Sequence, residues 1–336
     1  MSKDKLKAMS ESSVSKPAPV RRKLSAGPLS RGDKWFFRTT SIAANFAFVL
    51  VAFILIFLFI QALPALTSQG LPFVYGTEWN TQQDPIVMQI GPMIWGSLLI
   101  GAIGVVFATP LAVSLAYLIV FMLPSRLAKV ATTLVDLLAA LPSVIIGLWG
   151  LFVFSPVAAE WGAILNKFLG WIPIFQVSSA DNGFGGSPFI AGWIVAIMIV
   201  PIITSITREV FSQLDRDLIN GALALGGSRF STFRRVIFPT SAGAVVGGVL
   251  LGLGRALGET VAIYYVLQIT FNINWGQILE PNGGAVASMI LSKFGEATHD
   301  EVSGLIAAGL VLFILTLGIN FIASIIVNRA QPWRKN

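Results

Sequence analysis

Cysteine is absent from the 336-residue chain, and histidine occurs once, as His299. The first absence excludes disulfide frameworks and thiolate metal sites; the second excludes a histidine metal cluster. Charge is scarce as well. Asp, Glu, Lys and Arg together make up 12% of the residues, against 55% hydrophobic ones. Soluble globular chains carry about 25% charged residues, so a soluble enzyme is excluded, and so much apolar surface equally excludes a disordered chain. No GxxxxGKS/T phosphate loop, no strand-linked GxGxxG and no HExxH zinc motif occurs. His299 stands beside Asp300 and Glu301 with no nucleophile to serve. The chain reads as a non-enzyme that holds no cofactor of its own, and nothing in it points to nucleic acid.

What the chain does have is long apolar runs. A hydrocarbon core of ~30 Å is crossed by about 20 helical residues. The runs place spans at about 41–64, 93–122, 129–155, 189–207, 240–269 and 303–328. The fold class is therefore all-α, a polytopic membrane protein with six transmembrane helices. The run 93–122 contains Pro110. Two halves of ~15 residues would be too short to span, so one long helix bent at the proline is expected. Of the 23 Lys and Arg residues, 20 fall in segments on one side of these spans. Lys167 and Lys293 fall on the other side, and Arg255 lies inside a span. By the positive-inside rule both termini are cytoplasmic.

Residues 1–39 are rich in Ser, Pro, Lys and Arg and predict a disordered basic cytoplasmic tail. They lack the apolar core of a signal peptide, so the first span acts as an uncleaved anchor. Within them Arg21, Arg22 and Lys23 suit anionic membrane lipid, besides setting topology. Residues 40–330 form the transmembrane domain. The outer loops, 65–92, 156–188 and 270–302, contain two short amphipathic pieces, 159–169 and 285–294, expected to pack over helix ends.

Two features stand out against this background. The first is segment 208–238, on the cytoplasmic side. Leu214, Leu218, Ala222 and Leu225 recur at helical spacing, and Gly226-Gly227 then stops the helix. A second short helix follows over 228–236, and Pro239 opens the next span. The layout predicts a rigid knob, or else an ordinary connecting helix.

The second feature is Arg255 with Glu259, four residues apart in the fifth span. A charge at depth costs ~2.5–3.5 kcal/mol on insertion scales. A helical i,i+4 pair returns only ~0.2–0.5 kcal/mol, and Arg before Glu is the less favoured order. Two readings stand: a structural ion pair, or a functional arginine whose forked guanidinium suits an oxyanion. Gly243, Gly247, Gly248, Gly252, Gly254 and Gly258 surround the two charges. They suit either a sliding interface or tight static packing.

The run Asn220-Gly-Ala-Leu-Ala-Leu-Gly226, followed by Ile237-Phe238-Pro239, resembles the EAA loop of ABC importer permeases. Ala222, Gly226, Ile237 and Pro239 match that pattern. Asn220 replaces its Glu, Gly221 its first Ala and Phe238 its Leu. Gly254–Ala262, which reads GRALGETVA, resembles the GRALGETMA signature of phosphate-import permeases of the PstC type. Leu141–Gly147 and Leu305–Asn320 are similar to that family too, and the resemblance covers about residues 40–330.

The resemblance implies a type I ABC importer permease fold and an inorganic-phosphate importer of the bacterial cell membrane. It implies partners as well: a homologous second permease subunit (PstA-like), two ATP-binding subunits (PstB-like) and an extracytoplasmic phosphate-binding protein (PstS-like). ATP and Mg would be bound by the partner ATPase, and this chain would hydrolyse nothing. Arg255, Glu259 and Thr260 would line the substrate pathway. Asn220, Gly221, Ala222, Gly226, Arg229 and Pro239 would couple to the ATPase. A sulfate or molybdate permease, a secondary anion transporter and a signalling protein without a pore are the alternatives. The topology has a direct check: a reporter active only outside the cytoplasm, fused after residue 80, 175 or 285, should give signal, and fused after 225 it should be silent.

Overall fold

The computed structural model of the chain describes residues 30–178 and 183–329, with side chains to 325. It divides into two units, residues 1–54 and 55–336. Six helices among the described residues are long and apolar enough to cross a membrane.

The first unit consists, where described, of the start of helix α1 (Arg31–Gln69). Ser30 and Asp33 set that start by capping each other. The Asp33 N–H donates to Ser30 Oγ at 3.2 Å and the Ser30 N–H to Asp33 Oδ2 at 3.1 Å, a reciprocal box. The helix thus begins ten residues ahead of the expected span, and 31–39, expected in the disordered tail, are helical. The rest of that tail, 1–29, lies outside the described residues. Between Arg31 and Ile54 nearly every side chain is exposed, with Trp35, Phe46 and Phe53 among them. A helix apolar all round is one suited to hydrocarbon.

In the second unit, a short helix α2 (Pro72–Tyr75) and a two-residue hairpin (β1, Trp79–Asn80; β2, Val87–Met88) precede helix α3 (Gly91–Tyr117). The hairpin is antiparallel, with Trp79 opposite Met88. A π-turn, Leu118–Met122, prolongs α3, which carries Pro110 in its interior. The third span departs from expectation. Helix α4 (Ser125–Ala139) is a separate amphipathic helix, and the span is built from α5 (Ser143–Trp149) and α6 (Ser155–Leu169), joined through a π-turn. Pro142 is the physical cause. It disfavours helical backbone at Leu141, and its own ψ of 136° is extended. The expected helix 129–155 is cut there, and the amphipathic piece 159–169 becomes the end of the span.

Helix α7 (Pro188–Ser212) is the centre of this unit. Its most apolar window is 67% buried, against 28% or less for the other spans. Small residues bring its neighbours close. A Cβ on Gly104 of α3 would lie 3.0 Å from Val195 Cγ1 and 3.5 Å from the Gly192 carbonyl oxygen. Phe107 stacks on Trp193 with ring centroids 4.3 Å apart.

The segment after α7 forms helix α8 (Arg216–Ala224) and helix α9 (Arg229–Thr232). A π-turn, Phe233–Ile237, runs on into helix α10 (Phe238–Leu257). Pro239 therefore sits in the first turn of α10, as the spacing predicted, but that helix is joined to α9 in a nearly continuous rod. The π-turn just before it accommodates the N–H the proline lacks. Helix α11 (Val261–Val266), helix α12 (Val286–Phe294) and helix α13 (His299–Arg329) complete the order. Helix α12 buries Val286, Ser288 and Met289, so the second amphipathic piece packs into the unit.

Gly96 of α3 supplies a test of this packing. A Cβ there would overlap the backbone carbonyl of Gly284, whereas nothing lies within 4 Å of one on Gly318. Overpacking costs ~1–3 kcal/mol. Gly96→Val should lower the melting temperature of the purified protein by several degrees, while Gly318→Ala should leave it unchanged or slightly raised.

Candidate functional site

The fifth span is broken where its two charges lie. Helix α10 ends at Leu257, residues 258–260 leave the helical path, and α11 restarts at Val261. The sequence predicted one helix over 240–269. Gly258 ends it, because glycine loses most conformational freedom when held helical.

The break sends the two side chains in different directions. Glu259 is 8% exposed, and its Oε1 accepts the Ala262 N–H at 3.2 Å. The carboxylate thereby answers one of the unpaired donors at the start of α11. Arg255 is exposed. The ion pairs among the described residues are Arg208–Asp136 at 3.8 Å and Lys293–Glu301 at 3.7 Å. The i,i+4 ion pair of Arg255 with Glu259, one of the two readings, is therefore not formed, because an intact helix would be needed to stack them. Thr260 is half-buried, and its Oγ1 donates to the Gly258 carbonyl at 3.3 Å.

Arg255 belongs to a stripe. Thr240, Ala244, Gly247, Leu251 and Arg255 are all exposed and recur at three- and four-residue steps along one face of α10, and Gly258 just past its end is exposed as well. Five of the six are small or charged, which is not a lipid-facing composition. The glycines of this helix divide accordingly. Gly248 and Gly252 face Ile206 and Ile203 of α7, with an added Cβ 3.1 Å from each. Nothing lies within 4 Å of one on Gly247. Static packing holds on the α7 side, and the stripe about a quarter-turn round the helix is open.

The knob has a complete set of caps. Asp215 Oδ1 accepts the Asp217 N–H at 2.9 Å and Ser228 Oγ accepts the Ser231 N–H at 3.1 Å. At the end of α8, the Gly226 N–H reaches the Leu223 carbonyl at 3.0 Å and the Gly227 N–H reaches that of Ala222 at 3.1 Å. With Gly226 at φ +84°, this is a Schellman termination. Asn220, Gly221 and Arg229 are exposed and Ala222 is half-buried. Pro239 lies at the base. The tip is apolar and bare: Leu225 is 91% exposed and Phe230 71%.

Sequence reasoning missed two parts of this region and left the constraint on a third, Gly227, unstated. Gly227 is as constrained as Gly226, since a Cβ would lie 2.7 Å from the Ala222 carbonyl oxygen. Asp136 of α4 reaches Ser205 Oγ at 3.3 Å and Arg208, a link that exists only once α4 is separated from the third span. The break at 258–260 was signalled by Gly254 and Gly258, but the apolar run concealed it.

Residues 108–335 match the family described as "Binding-protein-dependent transport system inner membrane component". The chain is 35% identical over 309 residues to the phosphate transport system permease protein PstC 2 of Mycobacterium tuberculosis, covering 91% of this chain and 94% of the other. It is 36% identical over 310 residues to PstC of Xylella fastidiosa, covering 89% and 92%. The chain belongs to this family of ABC importer permeases. A bacterial alginate ABC transporter shares the fold, with a TM-score of 0.52 at 13% identity over 90% of this chain and 96% of the other. The permease is thus a transport component, a multi-pass protein of the bacterial inner membrane.

Gly226 offers a clean test of the knob. Nothing crowds a Cβ there, so substitution acts through the left-handed backbone alone, at roughly 1–2 kcal/mol. Gly226→Val should leave membrane insertion intact but reduce transport several-fold, whereas Gly226→Asn should retain most of it. Both are read as uptake per inserted subunit.

Proposed function

We propose that the permease is one membrane subunit of an ATP-driven inorganic-phosphate importer, with both termini cytoplasmic. The observation that carries the reading is the exposed stripe on α10, which ends in Arg255 with no carboxylate partner among the described residues. A charged residue in a span faces a watery path or a partner. A homologous second permease subunit (PstA-like) would face this stripe and close the path. The PstC names of relatives at about 35% identity over nine-tenths of the chain support phosphate as the cargo.

Arg255 would meet the hydrogenphosphate anion through a forked pair of N–H groups. Glu259 would hold the break, and with it the direction in which Arg255 points, while Thr260 would offer a hydroxyl beside it. The chemistry of transport needs no covalent step in this chain. Two ATP-binding subunits (PstB-like), which would hold ATP and Mg, would dock on the knob. Asn220, Gly221, Ala222 and Arg229 would lie at that contact. Gly226 would set its angle, and the rod through Pro239 would carry their closure into α10. An extracytoplasmic phosphate-binding protein (PstS-like) would deliver the anion on the other side.

Uptake of phosphate, normalised to assembled complex, tests this assignment. Arg255→Leu should abolish it, and Arg255→Lys should lower it about tenfold, because an ammonium lacks the fork. Glu259→Gln keeps an acceptor for the Ala262 N–H and should retain more uptake than Glu259→Leu. The double variant Arg255→Leu/Glu259→Leu should stay inactive. Recovery of uptake in it would leave the two charges a scaffold and overturn the reading.

A further inference from the structure

A cavity of roughly 510 Å³ lies where the Arg208 end of α7, the π-turn after α3 and α8 come together. Its polar lining is Arg208, Glu209, Ser212, Arg216 and Asn220, and its apolar wall includes Ile119 and Phe121. Neither the transport path nor the knob tip accounts for two guanidinium groups on one cavity. Glu209, the one carboxylate in the lining, is already engaged, accepting from Gln213 Nε2 at 2.7 Å. Asp136 touches Arg208 only through Nη2, at a long 3.8 Å. Arg208 Nη1 is enclosed and has no acceptor among the described residues, a costly state for a charged donor. Asn220 stands where the EAA pattern has Glu, so the lining lacks a second carboxylate and keeps a net positive charge.

We propose that this cavity binds a tetrahedral oxyanion, a phosphate group, between Arg208 and Arg216 with Asn220 as an amide donor. Two forked guanidinium groups on one concave surface suit the three oxygens of a phosphate. The group would tie the last turn of α7 to the first turn of α8, and so restrain the joint on which the knob is carried. Its source is either free inorganic phosphate, on the side to which it is delivered, or the headgroup of an anionic lipid. The inference takes the cytoplasmic placement of this end from the function proposed above. It does not depend on Arg255.

The chain has no cysteine, so one introduced thiol is unique in this subunit. Ser212→Cys places it in the lining at an exposed, near-isosteric position. The probe is the rate of maleimide labelling of this subunit in the complete complex, in phosphatidylcholine nanodiscs. Inorganic phosphate should slow labelling about fivefold relative to chloride at equal ionic strength, and Arg208→Gln/Arg216→Gln should abolish the protection. If only phosphatidylglycerol in the nanodisc slows labelling, and the same double variant abolishes that, the headgroup is the source and the site stands. Asn220→Glu, which restores a carboxylate to the lining, should weaken protection in either case. Labelling that neither probe slows, or protection that survives loss of both arginines, would overturn the proposal. Because Arg255 is untouched and no transport is read, failure here leaves the transport assignment standing, and loss of uptake in Arg255→Leu leaves this site standing.

Discussion

Lipid tails are as apolar as leucine side chains, so burial of apolar surface does little to hold one membrane helix against another. Close approach has to do it. In residues 55–336 that constraint is met around α7, where Gly104 and Gly192 bring two backbones together and Gly248 and Gly252 seat isoleucines of α7 in the face of α10. The aromatic layer of Phe107, Phe189 and Trp193 fills the space beside the first contact. With one face of α10 committed to α7, the stripe about a quarter-turn round the helix stays exposed, and the arginine on it has no carboxylate partner among the described residues.

A second constraint works at the break. Backbone N–H groups freed inside a membrane must be answered locally. The permease answers one with the Glu259 carboxylate, drawn inward to Ala262. A residue that reads as half of an ion pair is thus a backbone cap, and the charge left over is the arginine. The Schellman turn at Gly226-Gly227 obeys the same rule outside the apolar spans, where two carbonyls of α8 are satisfied by the turn itself. The helix can then stop short and present Leu225 and Phe230 bare.

These two local solutions are joined by one rod. From Arg229 to Leu257 the chain is helical throughout, by way of the π-turn before Pro239. In the proposed function, a push on α8 and α9 would be delivered along this rod to the base of α10, whose far end carries Arg255. The stiffness of that connection rests on the π-turn, which keeps the chain helical where proline would have ended it. Asp136, Ser205 and Arg208 tie α4 to α7 beside the same joint.

Much of this was legible in the residues alone. Six long apolar runs, with lysine and arginine heaped on one side, determine six spans by transfer energetics and need no tertiary information. The glycine stop after Leu225 is equally local, since only glycine takes φ +84° without strain. The positions of Arg255 and Glu259 in an apolar run marked them by cost alone. Hydropathy, however, is blind to where a helix bends or stops inside hydrocarbon. The third span is set by Pro142 acting on Leu141, and the fifth is cut at Gly258, though neither interrupts the apolar count. Which face of α10 is sealed, and so whether the stripe that carries Arg255 stays open, depends on where the isoleucines of α7 seat against Gly248 and Gly252. That is decided by packing between residues some fifty positions apart, and only the tertiary structure holds it.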